Sequence, residues 1–262
     1  MIRSLTTAAT GMAVQQRNLD VIANNLANIN TTAFKASRAE FQDLMYQTLR
    51  LAGAEQGSGN TLPAAQQVGM GAKFVANATT FATGPLNATG RQFDIALNGD
   101  GFFAVLLPDG TTAYTRDGSF SPDANGTLVT SDGMRLAANI QIPTNAPVIT
   151  IAPNGTVSAQ IAGGSDIQVL GQINVSMFPN PAGLERIGKN LFRVSGASGE
   201  ATDVEPGTEG SGRLEQGFLE GSNVSMVDEM VRMIMAQRAY EVNSKAIQTA
   251  DEMLSVTNNL RR

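Results

Sequence analysis

Five aspartates near the middle of this 262-residue chain are the residues whose type and spacing could support acid–base chemistry or bind a cation. They are Asp100, Asp109, Asp117, Asp123 and Asp132. Paired carboxylates serve as general acid and base in hydrolysis, and carboxylates on one loop bind calcium. Each of the five lies within three residues of a glycine, and Asp-Gly pairs are typical of hairpin turns because glycine adopts positive φ. The pattern therefore favours turns over a catalytic or calcium site.

Three residue types that carry much of enzyme chemistry are missing, since the chain has no histidine, no cysteine and no tryptophan. The absence of histidine removes the commonest general base and the commonest metal ligand. The absence of cysteine excludes thiol nucleophiles and disulfides. No phosphate-binding loop, nucleophile elbow or HExxH motif is present either. We expect no catalytic, cofactor-binding or metal-binding residue, and no enzymatic activity.

The charge and hydropathy of the chain narrow the choice of partners. The net charge is -5, and the acidic excess lies in residues 51–223, which argues against a nucleic-acid partner because phosphate binding needs clustered Lys and Arg. No apolar run is long enough for a membrane span, so direct membrane insertion is not expected. The N-terminus lacks the apolar core of a secretory signal, and we expect any export to occur without signal cleavage.

The two ends of the chain carry apolar residues at alternating spacings of three and four, the pattern of helices that pack on other helices. The pattern predicts one helix over about 4–30 and another from about 225 nearly to the end. Gly11 lies inside the first helix, either for close approach of another helix or as a tolerated weak position. The candidate assembly-interface residues are Leu5, Met12, Leu19, Ile22, Leu26 and Ile29 in the first helix, and Met235, Val242, Ile247, Met253, Leu254, Val256 and Leu260 in the second.

More than half of the circumference of the C-terminal helix is apolar or small, which is too much for one partner helix to cover. The remaining polar strip passes through Arg238, Gln248 and Asn259. We therefore expect this helix to be surrounded by several neighbours, with the polar strip facing water.

The middle of the chain predicts short strands, because Asn-Gly and Asp-Gly pairs recur between residues 98 and 155. The predicted fold class is α+β, with long terminal helices packed in a coiled-coil-like domain and a mainly antiparallel, β-rich central domain. The predicted domains are 1–33 with 222–262 for helical assembly, 34–72 as an extended arm, and 73–221 as the β-rich outer domain.

Segments of the chain resemble, in order, the signatures of bacterial flagellar rod and hook proteins. They are NNLANINTTAFK at 24–35, LNGDGFF at 97–103, YTRDGSF at 114–120, and LEGSNV at 219–224 with QRAYE at 237–241. The signature residues at the two ends are Asn24, Asn25, Leu26, Asn28, Asn30, Thr31, Phe34, Lys35, Gln237, Arg238 and Tyr240. Ala33 stands where the family usually has glycine. Either a left-handed turn there strains alanine by roughly 1 kcal/mol, or the helix simply continues further.

The resemblance implies a structural subunit. Within the family, the length of the chain and the segment 41–50 followed by a Gly/Gln-rich arm are similar to the distal rod subunit. Such subunits leave without signal cleavage and polymerise helically into a hollow periplasmic rod, the drive shaft that transmits torque to the hook and forms part of the export channel. The implied partners are other copies of the chain, proximal rod proteins, hook subunits and the surrounding outer-ring bushing. Arg238, Gln248 and Asn259 are then candidates to face the channel.

Two alternatives remain open at this point. One is a hook or proximal rod subunit of the same family. The other, from a different class, is a hydrolase or sugar-binding β domain with helical oligomerisation ends, against which the missing histidine, cysteine and tryptophan argue.

Overall fold

A computed structural model describes residues 2–53, 63–138, 140–143, 148–161 and 167–259. The described chain has a long helix at each end, α1 (Ile2–Ala27) and α2 (Met226–Asn259), with strands between them, so the predicted α+β class is confirmed. The strands are β1 (Ser37–Asp43), β2 (Gln47–Arg50), β3 (Gln66–Val68), β4 (Ala72–Thr79), β5 (Leu86–Ala88), β6 (Ile95–Asn98), β7 (Phe103–Leu106), β8 (Thr112–Thr115), β9 (Ser121–Pro122), β10 (Leu128–Val129), β11 (Arg135–Leu136), β12 (Val148–Ile151), β13 (Thr156–Gln160), β14 (Ile167–Gln172), β15 (Val175–Met177), β16 (Glu185–Gly188), β17 (Leu191–Arg193), β18 (Thr202–Val204), β19 (Arg213–Gln216) and β20 (Phe218–Glu220).

The chain divides into two compact units. The helical unit consists of Met1–Leu26, Ser37–Ala78 and Ser225–Arg262, and the β-rich unit consists of Ala27–Ala36 and Thr79–Val224. The domain bounds predicted from sequence were 33, 72 and 221. Residues 33–36, at and just after the first of these bounds, hydrogen-bond within the β-rich unit.

In the helical unit, the segment predicted as an extended arm forms paired strands. Strand β1 pairs with β4, and β2 pairs with β3 in antiparallel register, with Gln47 opposite Val68. The backbone N–H of Leu44 also donates to the carbonyl of Gly71 over 2.8 Å. Pairing satisfies backbone groups that an isolated arm would leave to water. Residues 54–62 of the predicted arm lie outside the described residues.

The two long helices approach each other closely at Gly11. A Cβ atom built on Gly11 would lie 3.0 Å from Nδ2 of Asn243 on α2. The glycine therefore allows close approach of a neighbouring helix, which was one of its two interpretations from sequence. Within the described ranges, neither helix is long and apolar enough to cross a membrane.

The β-rich unit is built from antiparallel pairs around an apolar core. Its largest sheet has the strand order β16-β17-β8-β7-β11-β10-β9, and a second sheet has the order β12-β13-β14. The predicted turn glycines Gly110, Gly126 and Gly155 have φ values of 82°, 77° and 86°, as hairpin turns require. The core contains residues of both of these sheets, together with fully buried Ile95 and Leu97 of β6, which pairs with β19.

Candidate assembly surfaces and a buried junction

Residues from three of the sequence motifs meet in a buried ionic cluster of the β-rich unit. Nζ of Lys35 lies 2.6 Å from Oε1 of Glu220, and Nε of Arg116 lies 3.2 Å from Oε2 of the same carboxylate. None of the three side chains is more than 2% exposed. We call Lys35, Arg116 and Glu220 the buried junction.

Backbone groups supply further polar contacts of the junction, although Nε and Nη2 of Arg116 and Oε2 of Glu220 make no hydrogen bond within the described residues. Lys35 also donates to the carbonyl of Ala82 over 2.8 Å, and the N–H of Gly84 donates to Glu220 over 2.8 Å. Nη1 of Arg116 donates to the carbonyls of Gly99 and Gly101, over 2.7 and 2.8 Å, and both glycines belong to the LNGDGFF motif. These bonds tie all the central motifs to one carboxylate.

Burial perturbs the lysine of the junction. Desolvation is the largest cause and lowers the pKa of Lys35, because burial disfavours the charged form. The positive charge of Arg116 acts in the same direction, whereas the Glu220 carboxylate opposes it. One carboxylate therefore compensates two buried cations, which makes Glu220 the most sensitive member of the cluster.

The segment before Lys35 is held by the C-terminal part of the same unit. Ala33 is buried with φ of 56°, so the left-handed turn anticipated at this position is present, and its N–H donates to the carbonyl of Glu220 over 2.8 Å. Asn223 donates from its backbone N–H to the carbonyl of Phe34, and its Oδ1 accepts from the N–H of Ala36 over 2.7 Å. Residues 33–36 are thus fastened along their backbone.

Several N-terminal signature residues make hydrogen bonds or ring contacts with neighbouring parts of the described chain. In the helical unit, Asn25 is 1% exposed; its Nδ2 donates to the carbonyl of Ser37, and its Oδ1 accepts from the Ser37 N–H. Thr31 donates its hydroxyl to Oδ1 of Asn28 over 3.1 Å. The guanidinium of Arg186 lies 5.4 Å from the ring centroid of Phe34. These contacts within the chain give the described signature residues a packing role.

Three residues of this network, Arg116, Glu220 and Asn223, were absent from the site residues named from sequence, although each lies within a quoted motif. For the two charged residues, the signal available was a charge inside a turn-rich or apolar motif, namely Arg116 in YTRDGSF and Glu220 in LEGSNV. A charge in such a place is buried only when it is paired.

Of the aspartates considered for catalysis, Asp109 and Asp132 lie in turns and Asp123 begins one, whereas Asp100 forms a bridge with Ser211. Oδ1 of Asp109 accepts from the N–H and hydroxyl of Thr111, and these bonds lower the pKa of Asp109. Oδ1 of Asp117 accepts from the N–H of Ser119 over 3.0 Å. Across the described parts of the chain, no group of three or more acidic side chains could hold a metal ion.

The predicted interface residues of α1 and the segment after it are sheltered in the single chain. Ile22 is 3% exposed, and the other five residues are half-buried. Those five are Leu5, Met12, Leu19, Leu26 and Ile29.

The predicted interface residues of α2 divide into two groups. Ile247 and Leu254 are half-buried, and Leu260 lies outside the described residues. The other four each expose more than half of their surface, and they are Met235, Val242, Met253 and Val256. The buried positions of α2 form a neighbouring column, Glu229, Ala236 and Ala250, whose two alanines permit close packing.

The remaining surface of α2 also has an apolar part and a polar part. Its first turns expose further large apolar residues, namely Met226, Val227, Met230, Val231 and Ile234. Arg238, Gln248 and Asn259 of the predicted polar strip are exposed, as are the signature residues Gln237 and Tyr240. Exposed apolar surface on this scale is uncommon on monomeric proteins and marks interaction sites.

Three family models match the chain in the order of the motifs. The model described as flagella basal body rod protein matches residues 5–35. The flagellar hook protein FlgE/F/G D1 domain matches residues 96–159, and the flagellar basal body rod FlgEFG protein C-terminal model matches residues 215–260. The matches at the two ends cover most of α1 and α2.

Curated relatives align with the chain along its whole length. The flagellar basal-body rod protein FlgG of Borreliella burgdorferi is 53% identical, with 100% of both chains covered. FlgG of Caulobacter vibrioides is 48% identical over 99% of this chain and 100% of its own, and FlgG of Bacillus subtilis is 44% identical over 100% of both. The chain therefore belongs to the flagellar hook and basal-body rod protein family, among the rod proteins of the FlgG type.

Proposed function

We propose that this chain is a structural subunit of the distal rod of the bacterial flagellum, and that it polymerises helically into a hollow drive shaft. The rod transmits torque to the hook, and its lumen forms part of the export channel. The subunit contacts other copies of itself, proximal rod proteins, hook subunits and the outer-ring bushing. It works in the periplasm, is exported without cleavage of a signal peptide, and performs no enzymatic reaction.

The observation that carries this proposal is the exposed apolar surface of α2. Four predicted interface residues on this helix each expose more than half of their surface, and five more large apolar residues are exposed in its first turns. At ~25 cal/mol per Å² of apolar area removed from water, neighbouring subunits would stabilise the helix substantially. The 34-residue helix is about 50 Å long, and more than half of its circumference is apolar or small, which is too wide for one neighbouring helix to cover.

Electron microscopy of the polymerised full-length chain tests the proposal. We expect a straight hollow tube. A curved, flexible tube would favour a hook subunit, and failure to polymerise under any condition would contradict a subunit role of either kind.

The exposure of the polar strip of α2 supports an orientation of this helix in which the strip faces the export channel. Arg238, Gln248 and Asn259 offer mixed charge and amide groups, which would not retain a passing unfolded chain. Substitution Gln248→Leu should leave rod assembly intact and reduce secretion of later substrates, with Val242→Leu as the control on the apolar face. Loss of assembly in Gln248→Leu would instead place this residue at a buried contact.

A further inference from the structure

The chain runs from one of its compact units to the other at four places. They lie between residues 26 and 27, 36 and 37, 78 and 79, and 224 and 225. We call these four places the connections. A covalent path for force between the helical unit and the β-rich unit must pass through them. Hydrogen bonds that join one connection to another therefore decide whether these stretches of chain bear a load separately or together.

Three of the connections are joined by Asn223 within the β-rich unit. Oδ1 of Asn223 accepts from the N–H of Ala36 over 2.7 Å, and its Nδ2 donates to the carbonyl of Thr80 over 2.8 Å. The N–H of Thr80 donates directly to the carbonyl of Ala36 over 2.9 Å. Each of these residues lies within two positions of a different connection. The three hydrogen bonds thus close a triangle that ties three separate stretches of chain.

This triangle depends on an amide side chain at position 223. In a regular antiparallel pair, two opposite residues exchange both of their N–H···O=C bonds. Ala36 and Thr80 exchange one of these bonds directly, and the Asn223 amide bridges the other by accepting from Ala36 and donating to Thr80. Side-chain amides are the groups that carry a carbonyl acceptor beside an NH₂ donor. An aspartate here would turn a carboxylate oxygen toward the carbonyl of Thr80.

A second asparagine acts at the remaining connection, within the helical unit. Nδ2 of Asn25 donates to the carbonyl of Ser37 over 2.8 Å, and its Oδ1 accepts from the N–H of Ser37 over 2.9 Å. Asn25 lies just before the first connection, and Ser37 lies just after the second. All four connections are therefore linked, two through Asn25 and three through Asn223, with the one at residues 36 and 37 shared.

We propose that Asn223 is a positioning residue for the transmission of torque. By tying three connections together, it makes these stretches of chain bear load in parallel and so stiffens the linkage within each subunit. When the tie is removed, each stretch moves independently and yields more under the same force. This inference rests on the proposed function, because the tie has a mechanical task only in a rod that carries load.

The stiffness of the polymer tests this role. Asn223→Ala removes the side-chain bonds to Ala36 and Thr80. Asn180→Ala is the matched control, because Nδ2 of Asn180 donates to the carbonyl of Ala197 over 3.0 Å in the same unit and away from every connection. Full-length polymers are imaged by electron microscopy, and the persistence length is measured from their curvature. We expect Asn223→Ala polymers to lose persistence length and Asn180→Ala polymers to keep that of the unmodified chain.

Hydrogen exchange of the unpolymerised chain provides a second measurement. The amide of Ala36 should exchange about fivefold faster in Asn223→Ala, as expected for one lost hydrogen bond, and at an unchanged rate in Asn180→Ala. Unchanged exchange at Ala36, an unchanged persistence length in Asn223→Ala, or an equal loss of persistence length in Asn180→Ala would each overturn the proposed role.

A second variant covers a failure of Asn223→Ala to assemble. Asn223→Asp keeps the acceptor for Ala36 and loses the donor to Thr80, so its polymers should also lose persistence length. If neither variant polymerises while Asn180→Ala does, Asn223 is needed for assembly itself and the proposed mechanical role is overturned. Failure of the unmodified chain to polymerise would instead count against the rod proposal.

Discussion

Removal of the Glu220 carboxylate should be among the most destabilising single substitutions in the β-rich unit. In Glu220→Ala, Lys35 keeps the carbonyl of Ala82 and Arg116 keeps two glycine carbonyls, but neither retains an ion-pair partner, and only the weaker field of Asp100 still acts on Lys35. Removing one partner of a buried ion pair costs about 3–5 kcal/mol, because it leaves an uncompensated charge in a low dielectric. The total stability of a domain is about 5–15 kcal/mol, so a large fraction would be lost.

Urea unfolding measures this loss. Near-ultraviolet circular dichroism is a suitable signal, because Tyr114 is buried in the β-rich unit against the ring of Phe178, at 4.8 Å between centroids. The exposed pair between Arg193 and Glu185 provides the matched control, since both side chains are more than half exposed and the pair spans 2.9 Å. Glu185→Ala should cost no more than about 1 kcal/mol.

The double variant Lys35→Met/Glu220→Leu separates charge from packing. It removes one cation together with the carboxylate, so it should lose less stability than Glu220→Leu alone, although Arg116 stays buried. The reasoning about the junction would be refuted if Glu220→Ala lost no more free energy of unfolding than Glu185→Ala.

Three further predictions concern the junction and the helices. Ala33→Gly should leave the free energy of unfolding in urea unchanged or raise it by up to about 1 kcal/mol, because glycine relieves the backbone strain of the left-handed turn. A loss of stability like that of an ordinary helix-interior Ala→Gly substitution would contradict this. Gly11→Leu should lower the helical-unit melting temperature in calorimetry more than Gly11→Ala does, because a larger side chain cannot fit beside Asn243; equal effects would argue against close packing. The pKa of Lys35 is lower in the folded protein than in the unfolded chain, so the unfolded chain binds more protons between the two pKa values. The free energy of unfolding should therefore rise with pH toward 10.5. The difference in free energy of unfolding between wild type and Lys35→Met should change over this range, and parallel pH profiles of the two proteins would exclude the effect.

The parts of the fold that could be predicted from sequence are those set by local pattern. The heptad spacing predicts both long helices, and the Asn-Gly and Asp-Gly pairs predict hairpin turns whose glycines have positive φ. The pairing of β1, β2 and β3 was not predicted, because residues 52–72 are rich in Gly, Ala and Gln and favoured an unpaired arm, and because pairing depends on contacts distant in sequence.

The packed column of α2 was also difficult to choose from sequence. The helix offers two adjacent columns, one with large apolar residues such as Met235 and Val242, and one with Ala236 and Ala250. Apolar content alone favours the first column. Close packing within one chain selects the second, since small side chains let the backbones approach, and it leaves the larger residues on the surface.

The buried junction has a consequence for where the β-rich unit can be divided. A fragment of residues 73–221, the domain that composition suggests, keeps Glu220 and Arg116 but lacks Lys35 and Asn223. It therefore loses the 2.6 Å ion pair and the bonds that Asn223 makes to residues 34 and 36. Because residues 27–36 lie far from residue 220 in sequence, the ion pair forms only after most of the chain is available. Residues 27–35 of the N-terminal signature are thus part of the β-rich unit, and their lysine compensates a charge contributed near the other end of the chain.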